Sequence, residues 1–277
     1  MKKQKISIVF ILLLAFFSFS TAQESKKIEV LLNKSMLLDA NLSTKFIPSI
    51  DYTTAGFIAL ASTNETYLLG VGGLVKFFPN QEKIGSFTIT HDGYFLAICG
   101  NKLFQINKDG KFNELLELPN ENMQVAAGNN AFYVFGKEKN SMNHAIYIIL
   151  RNNTYSKLIS VKTPINAVLE YEQNILFASE NKIIGINAET KKIFELISLS
   201  NKQEKIRSIA FDNEQISLYF STDKAIYQIQ KNKPQCISNE FSGLLRFDGE
   251  GLIVFNPENS FIVKFLFGFL HPESTNK

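Results

Sequence analysis

The sequence YFLAICGNKLFQI, at Tyr94–Ile106, consists of an apolar strand, a polar turn and a second apolar strand. The same pattern occurs in three further stretches, which are ILFASENKIIGI (Ile175–Ile186), ISLYFSTDKAIYQI (Ile216–Ile229) and LIVFNPENSFIVKF (Leu252–Phe265). Looser copies occur at Thr66–Phe78 and Ala131–Leu150. A strand hairpin that recurs about every 30 to 45 residues is the sequence signature of a β-propeller.

The most regular unit contains four strands separated by short turns. Its strands are predicted at Ile165–Glu170, Ile175–Ser179, Lys182–Ile186 and Lys191–Leu199. The units that begin at Gly85 and Ile206 follow the same order, and two turns of the Gly85 unit contain Asp-Gly, a strong hairpin signal. We therefore expect each unit to be a four-stranded antiparallel sheet, or blade.

The last repeat supplies only three strands, and Lys27–Leu32 (KIEVLL) has no repeat of its own. Because an open sheet edge invites aggregation, we expect this segment to pair as the outer strand of the last blade and close the ring. The fold class is then all-β, a six-bladed propeller with blades at about 55–84, 85–120, 121–161, 162–202, 203–239 and 240–266. The alternative has seven blades, with residues 33–54 as a partial first blade.

The chain is expected to form one domain preceded by a targeting segment. Residues 1–22 have a lysine-containing start, an apolar run from Ile6 to Phe17 and the small residues Ser20-Thr21-Ala22, typical of a signal peptide cleaved near Ala22-Gln23. An uncleaved anchor is the alternative. Residues 23–54 form the closing strand and lead-in, 55–266 the blades and 267–277 the tail, and no later segment is long enough to span a membrane. The predicted location is periplasmic or secreted, in a bacterium.

The charge balance argues against nucleic-acid binding. The chain contains 29 Lys and Arg residues and 26 Asp and Glu residues, and three of the lysines lie in the leader. The mature chain is therefore close to neutral, and its lysines are scattered through turns. Such a surface has no global field to attract a phosphate backbone.

Cys99 and Cys236 are the two cysteines of the chain. Both are interpreted as small hydrophobic residues, because free cysteine is most often buried. A disulfide between them is the alternative in an oxidising compartment.

The stretch Arg207–Ser221, followed by AIYQI at Ala225–Ile229, resembles the repeats of gluconolactonase-like, strictosidine-synthase-like and NHL propellers. Arg246–Val254 resembles the counterpart of this phrase in the next blade. The resemblance implies a propeller, and for the gluconolactonase-like hydrolases it implies a divalent metal held by Glu, Asn and Asp at the channel. The Asn and Asp positions fall near Arg207 and Gly243, which cannot supply a ligand oxygen from a side chain.

Other candidates for chemistry are interpreted as turns or isolated residues. The acidic residues considered are Asp92, Glu170, Glu172, Asp248 and Glu250, and the histidines are His91, His144 and His271. None has the spacing of a metal site or a catalytic triad. The sequence therefore assigns no catalytic, cofactor-binding or metal-ligating residue and no cofactor.

Two segments are candidates for interaction. The connection Lys137–Asn143 is longer than the equivalent Gly100-Asn101 and Glu180-Asn181 connections. It is interpreted as a tolerated surface insertion, with a loop that shapes a binding surface as the alternative. The apolar tail Phe265–Leu270 is expected to pack under the propeller, with docking of a partner as the alternative.

These observations predict an exported binding or scaffolding module without catalysis. Its ligand, a protein, carbohydrate or small molecule, would bind on one face of the propeller. The alternative is a metal-dependent hydrolase of the gluconolactonase-like class with a site at the central channel, and a cell-envelope assembly component is a third hypothesis.

Overall fold

The computed structural model describes residues 26–39, 42, 45–129, 131–150, 152–212, 216–230 and 232–267. The first elements are β1 (Lys26–Leu32) and α1 (Lys34–Asp39), and three four-stranded blades follow. Their strands are β2 (Phe46–Tyr52), β3 (Ile58–Ser62), β4 (Glu65–Gly70), β5 (Gly73–Pro79), β6 (Ser86–Ile89), β7 (Phe95–Cys99), β8 (Lys102–Ile106), β9 (Phe112–Glu117), β10 (Gln124–Ala127), β11 (Phe132–Lys137), β12 (His144–Ile149) and β13 (Tyr155–Val161).

The second half of the ring repeats this order. Its strands are β14 (Ile165–Tyr171), β15 (Asn174–Ser179), β16 (Lys182–Asn187), β17 (Ile193–Ser198), β18 (Ile206–Asp212), β19 (Ser217–Thr222), β20 (Ile226–Gln230), β21 (Lys233–Ser238), β22 (Leu244–Phe247), β23 (Gly251–Asn256) and β24 (Phe261–Phe267). Every sheet has four antiparallel strands, and there are six sheets. The prediction of a six-bladed all-β propeller is confirmed.

The ring is closed by pairing of the two ends of the chain. Strand β1 pairs antiparallel with β24, and Ile28, Val30 and Leu32 lie opposite Phe265, Val263 and Ile262. The sixth sheet therefore has the order β1-β24-β23-β22. The predicted role of Lys27–Leu32 as the closing strand is confirmed.

The first blade begins earlier than the sequence indicates. We expected it to start at Ala55, but its inner strand is β2, from Phe46 to Tyr52. Pro48 weakens the strand signal there, because proline cannot donate to a ladder and is found at edges and bulges. The pairing of β2 with β3 is irregular between Phe46 and Ile50, which accommodates the proline.

The hydrophobic core is divided into six clusters, one between each pair of neighbouring blades. The cluster at the closure contains Leu32 of β1 with Phe46 of blade 1 and Phe255 of blade 6. No blade is thick enough to bury its own faces, so each depends on its neighbours, as is general for repeat folds.

Polar side chains of the inner strands connect successive blades around the channel. The Phe87 amide donates to Ser49 Oγ (3.1 Å), the Val125 amide to Ser86 Oγ (3.2 Å) and the Leu245 amide to Ser208 Oγ (2.9 Å). Between blades 4 and 5, Asn166 Nδ2 donates to the Ile206 carbonyl (2.8 Å). Because buried backbone groups need partners, these contacts also fix the inward-facing register of each strand.

The two cysteines are free thiols in different blades. Cys99 is buried on β7, and Cys236 is exposed on β21. The disulfide alternative is therefore contradicted, and the interpretation of Cys236 as a buried hydrophobic residue is wrong, since the outer strand β21 is largely solvated. Burial, with a smaller contribution from Glu82, raises the pKa of the Cys99 thiol to about 12.

The thiols should therefore differ in reactivity. Treatment of the native protein with iodoacetamide at pH 8 is expected to label Cys236 alone, because the reactive thiolate of Cys99 is suppressed and shielded. Mass spectrometry of intact protein would measure one adduct in the native state and two in denaturant. The Cys236→Ser variant is the control and should remain unlabelled when folded; rapid native labelling of that variant would contradict the assignment.

Within the described residues, no helix has the length and apolar character needed to cross a membrane. The predicted signal peptide at residues 1–22, and the part of the tail beyond Phe267, lie outside the described residues. The cleavage site and the packing of this part of the tail therefore stay predictions.

Candidate functional site

A cavity of 170 Å³ lies in the central channel and is lined by all six inner strands. Six lining residues, one from each inner strand, are called the ring here, and these are Asp51, Thr88, Ala126, Val168, Ala210 and Arg246. The other lining residues are apolar, and these are Ile89, Ala127, Leu169, Ile209, Phe211 and Phe247. The channel thus combines the ion pair of Asp51 and Arg246 with a mostly apolar wall.

The Asp51 carboxylate is held by neighbouring donors. Its Oδ1 accepts from the Tyr52 amide (2.9 Å), and its Oδ2 accepts from Thr88 Oγ1 (2.6 Å) and the Ile89 amide (2.7 Å). Thr88 Oγ1 in turn accepts from the Ala127 amide (3.2 Å). The carboxylate, together with Thr88, therefore links blades 1, 2 and 3.

Arg246 completes the ring between blades 6 and 1. Its Nε lies 3.5 Å from Asp51 Oδ1, and its Nη1 donates to the Leu245 carbonyl (2.9 Å). The side chain of Arg246 is 32% exposed and that of Asp51 is 14% exposed. The pair is thus partly desolvated, and its attraction is stronger than that of a surface ion pair.

A wider cavity of 320 Å³ shares Asp51, Ile89, Ala127 and Phe247 with the channel cavity. The turns between first and second strands supply its rim, including Thr53, Thr54, His91 and Asn129. Consecutive strands are antiparallel, so these turns lie at the opposite end of the propeller from the connections between second and third strands. The ring of inward-facing residues is therefore reached through this mouth.

The two positions aligned with the metal ligands of gluconolactonase-like hydrolases do not fit a divalent cation. Arg207 and Gly243 line one surface pocket of 340 Å³. A Cβ added to Gly243 would lie 2.2 Å from the Phe255 carbonyl oxygen, so no side chain can occupy this position without moving backbone. Arg207 is exposed and carries only donors. In the described part of the chain, no group of three or more His, Cys, Asp or Glu residues is arranged to hold a metal.

Alanine substitutions at two glycines are expected to differ in their effect on stability. Gly243→Ala is expected to lower the free energy of unfolding by about 1–3 kcal/mol, because the new methyl overpacks against Phe255. Gly72→Ala is the matched control, since a Cβ there meets no atom within 4 Å. Urea unfolding of both variants would measure the difference, and equal stability would show that the backbone near Gly243 yields.

The acidic residues and histidines considered from the sequence are not brought together. Asp92 and Glu172 are exposed turn residues, and Glu170 accepts a hydrogen bond from Tyr133 Oη (2.9 Å). His91 borders the mouth of the channel. The pKa of His144 is lowered, mainly by its partial burial and to a smaller extent by the positive charge of Lys137. His271 lies outside the described residues.

The interpretation of Asp248 as a solvated turn residue is wrong. Its side chain is 6% exposed, and its Oδ2 lies 2.7 Å from Nζ of Lys264, which is itself 10% exposed. Glu250, in contrast, is 80% exposed and contacts the same ammonium at 2.7 Å. This ion pair lies beside a 410 Å³ groove between blades 6 and 1.

The long connection after β11 forms an ordered loop. The Glu138 amide donates to the Asn143 carbonyl (2.9 Å), and Glu138 Oε2 accepts from Ser160 Oγ (2.7 Å). Met142 at the tip is 80% exposed. The loop lies at the opposite end of the propeller from the wide mouth, and its role in recognition stays a prediction.

Sequence reasoning missed both charged residues of the channel. Asp51 lies in the segment interpreted as a lead-in, and Arg246 was considered only as part of a repeat phrase. A signal was present, because Ser-Ile-Asp at Ser49–Asp51 alternates in the manner of Ser-Phe-Thr at Ser86–Thr88. Aligning these phrases would have placed Asp51 on an inner strand.

Comparisons with known proteins agree on the fold. No protein-family model and no curated protein matches the sequence. Among solved structures, a gluconolactonase from Xanthomonas campestris has a TM-score of 0.69 at 8% identity, over 88% of this chain and 90% of that chain. A chain of a nidogen/laminin complex has a TM-score of 0.60 at 10% identity, over 72% of this chain and 85% of that chain.

An extracellular domain from B. thetaiotaomicron, attributed to a one component system, has a TM-score of 0.57 at 13% identity. The alignment covers 87% of this chain but 40% of that chain, so the present protein spans less than half of it. The expected resemblance to gluconolactonase-like and NHL-type propellers is confirmed at the level of the fold, which many functions share.

Proposed function

We propose that this protein is an exported, non-catalytic binding module whose ligand enters the central channel. The observation that carries the proposal is the state of Asp51, the one acid lining the channel cavity. Three donors and Arg246 already engage its two oxygens. A general base must be able to accept a proton from the substrate, and a metal ligand must offer a lone pair.

The remaining wall of the channel supports binding more than chemistry. Ala126, Val168 and Ala210 offer aliphatic contacts and no titratable group. Binding sites are typically apolar cavities with a few convergent polar groups, which is the composition found here. Export is supported by the leader pattern of residues 1–22 and by the extracellular origin named for the B. thetaiotaomicron neighbour.

The test compares binding with turnover. Protein that begins at Gln23 is analysed for bound metal and assayed against lactones and aryl esters, with a gluconolactonase as the positive control. We expect metal well below one equivalent and no hydrolysis above the uncatalysed rate. One equivalent of divalent metal, together with hydrolysis that chelation removes, would establish the hydrolase instead.

A further inference from the structure

The ring around the channel cavity is divided into a polar half and an apolar half. Blades 6, 1 and 2 contribute Arg246, Asp51 and Thr88, and blades 3, 4 and 5 contribute Ala126, Val168 and Ala210. Ile89 and Phe247 also line the polar half, and Leu169, Ile209 and Phe211 extend the apolar half. A ligand that fills this cavity therefore meets the polar side chains on one side and hydrocarbon side chains on the other. Such a ring is complementary to a small amphiphilic molecule.

Asp51 is already engaged on both of its oxygens. A carboxylate offers about four lone-pair sites. Oδ1 accepts from the Tyr52 amide and lies 3.5 Å from Arg246 Nε, while Oδ2 accepts from Thr88 Oγ1 and the Ile89 amide. Three of the four sites are therefore occupied and the fourth lies beside a cation, so Asp51 serves to hold Arg246.

Arg246 has donors to spare. A guanidinium carries five N–H groups. One on Nη1 donates to the Leu245 carbonyl, and Nε lies 3.5 Å from Asp51 Oδ1 as an ion pair. The other N–H groups, all on the two Nη nitrogens, have no acceptor among the described residues, although the side chain lines the cavity. A planar ligand with two oxygen acceptors matches this edge of the guanidinium.

The cavity volume sets the ligand size. An apolar cavity of about 150 Å³ is large enough for benzene, and the channel cavity measures 170 Å³. Molecules of about six to eight non-hydrogen atoms therefore fit, with entry through the 320 Å³ mouth. Asp51 lies at the Nε edge of Arg246, away from the unpaired Nη donors, so a ligand anion at those donors is separated from the Asp51 charge.

We propose that the channel binds a short-chain aliphatic carboxylate. Its carboxylate contacts the Nη edge of Arg246, and its hydrocarbon chain contacts Ala126, Val168 and Ala210. The inference rests on the proposed function and names the ligand class of that same channel. It also assigns Arg246 two roles, which are closure of the ring with Asp51 and recognition of the ligand anion.

Calorimetric titration with sodium acetate, butyrate, hexanoate and decanoate tests the inference, with hexanamide as the uncharged isostere. Hexanoate is expected to bind with a dissociation constant on the order of 1 mM. Acetate should bind at least about tenfold more weakly than hexanoate, because it leaves the apolar half of the cavity empty. Hexanamide should also bind at least about tenfold more weakly, because it lacks the negative charge that Arg246 recognises. Equal binding of hexanamide, or affinity independent of chain length, would overturn the assignment.

Two variants locate the site. Arg246→Gln is expected to weaken hexanoate binding at least about tenfold, whereas Arg207→Gln, at an exposed arginine near the start of β18, should bind normally. If Arg246→Gln unfolds, Arg246→Lys replaces it, because lysine keeps a cation beside Asp51 but lacks the two Nη nitrogens, and it should weaken hexanoate binding by a similar factor. Normal hexanoate binding by folded Arg246→Lys would contradict the proposal.

The outcomes separate this inference from the proposed function. If the wild-type protein binds none of the carboxylates and also lacks metal and lactonase activity, the ligand assignment is wrong and the binding-module proposal stands. Metal-dependent hydrolysis would overturn the proposed function, whatever the carboxylate titration shows.

Discussion

A chain that begins at Asn33, and so lacks β1, is expected to lose cooperative folding. Strand β1 contributes six paired residues to the ladder with β24, and its Leu32 is 2% exposed. At about 1 kcal/mol for each net hydrogen bond and about 2 kcal/mol for a buried leucine, the loss is about 5–8 kcal/mol. This is comparable with the whole stability of a typical domain. Chemical denaturation followed by circular dichroism measures it.

Three companion measurements separate closure from general damage. Leu32→Ala in the full chain should cost about 2–5 kcal/mol, whereas Lys27→Ala should cost under about 1 kcal/mol because the Lys27–Glu29 pair is exposed. Added peptide KKIEVLL should restore a cooperative transition to the truncated chain by pairing with β24. A truncated chain that unfolds with the wild-type midpoint would contradict the closure.

The second large effect is expected at the ion pair between Asp248 and Lys264. Lys264→Met should cost about 3–5 kcal/mol, because it leaves the Asp248 carboxylate, which is 6% exposed, without its counter-ion. Asp248→Ala should cost less through charge alone, because Glu250 still contacts the Lys264 ammonium. Asp248 also accepts from the Glu250 and Gly251 amides through Oδ1, so its loss opens the turn as well. Urea unfolding at pH 7 measures both variants.

A double variant and a surface pair provide the controls. Asp248→Ala combined with Lys264→Met should cost less than the sum of the two single changes, because no buried charge is then left unpaired. The exposed Lys102–Glu114 pair is the matched comparison, and Glu114→Gln should cost under about 1 kcal/mol. Additive single and double variants would show that the buried pair is not coupled.

The ion pair between Asp248 and Lys264 also makes the stability of the fold decrease at alkaline pH. Burial lowers the pKa of Lys264, but hydrogen bonds to Asp248 and Glu250 outweigh it and raise the pKa above its usual range. A raised pKa in the folded state stabilises the fold below the ordinary lysine pKa of about 10.4, and this contribution is lost as the pH rises through the folded-state value. As the pH rises from about 10.4 through the folded-state pKa of Lys264, the free energy of unfolding should therefore fall more for the wild-type protein than for Lys264→Met.

Local sequence was sufficient for the blades because a hairpin is a local structure. The apolar strand at Ile175–Ser179, the Asp-Gly turns and the tight Glu180-Asn181 connection each depend on residues a few positions apart. The closing strand was predicted by a different argument, since a three-stranded last repeat and a solitary alternating segment complement each other. The start of blade 1 was missed because Pro48 obscures the pattern of β2.

The channel depends on contacts that no local pattern encodes. Asp51 and Arg246 lie near opposite ends of the sequence, and only closure of the ring brings them to 3.5 Å. Asp248 appears in the sequence as a turn residue, yet its burial depends on Lys264 of another strand. Cys236 was interpreted as a buried hydrophobic residue, but it lies on an outer strand that exposes it.

The sequence by itself determined the architecture, because alternation and turn chemistry act over a few residues and repeat six times. The tertiary structure decided which inner-strand residues face the axis and how they divide into polar and apolar halves. The physical reason is the circular arrangement: each inner strand contributes one side chain to the ring, so its composition is set by residues about 40 positions apart and by the register of closure.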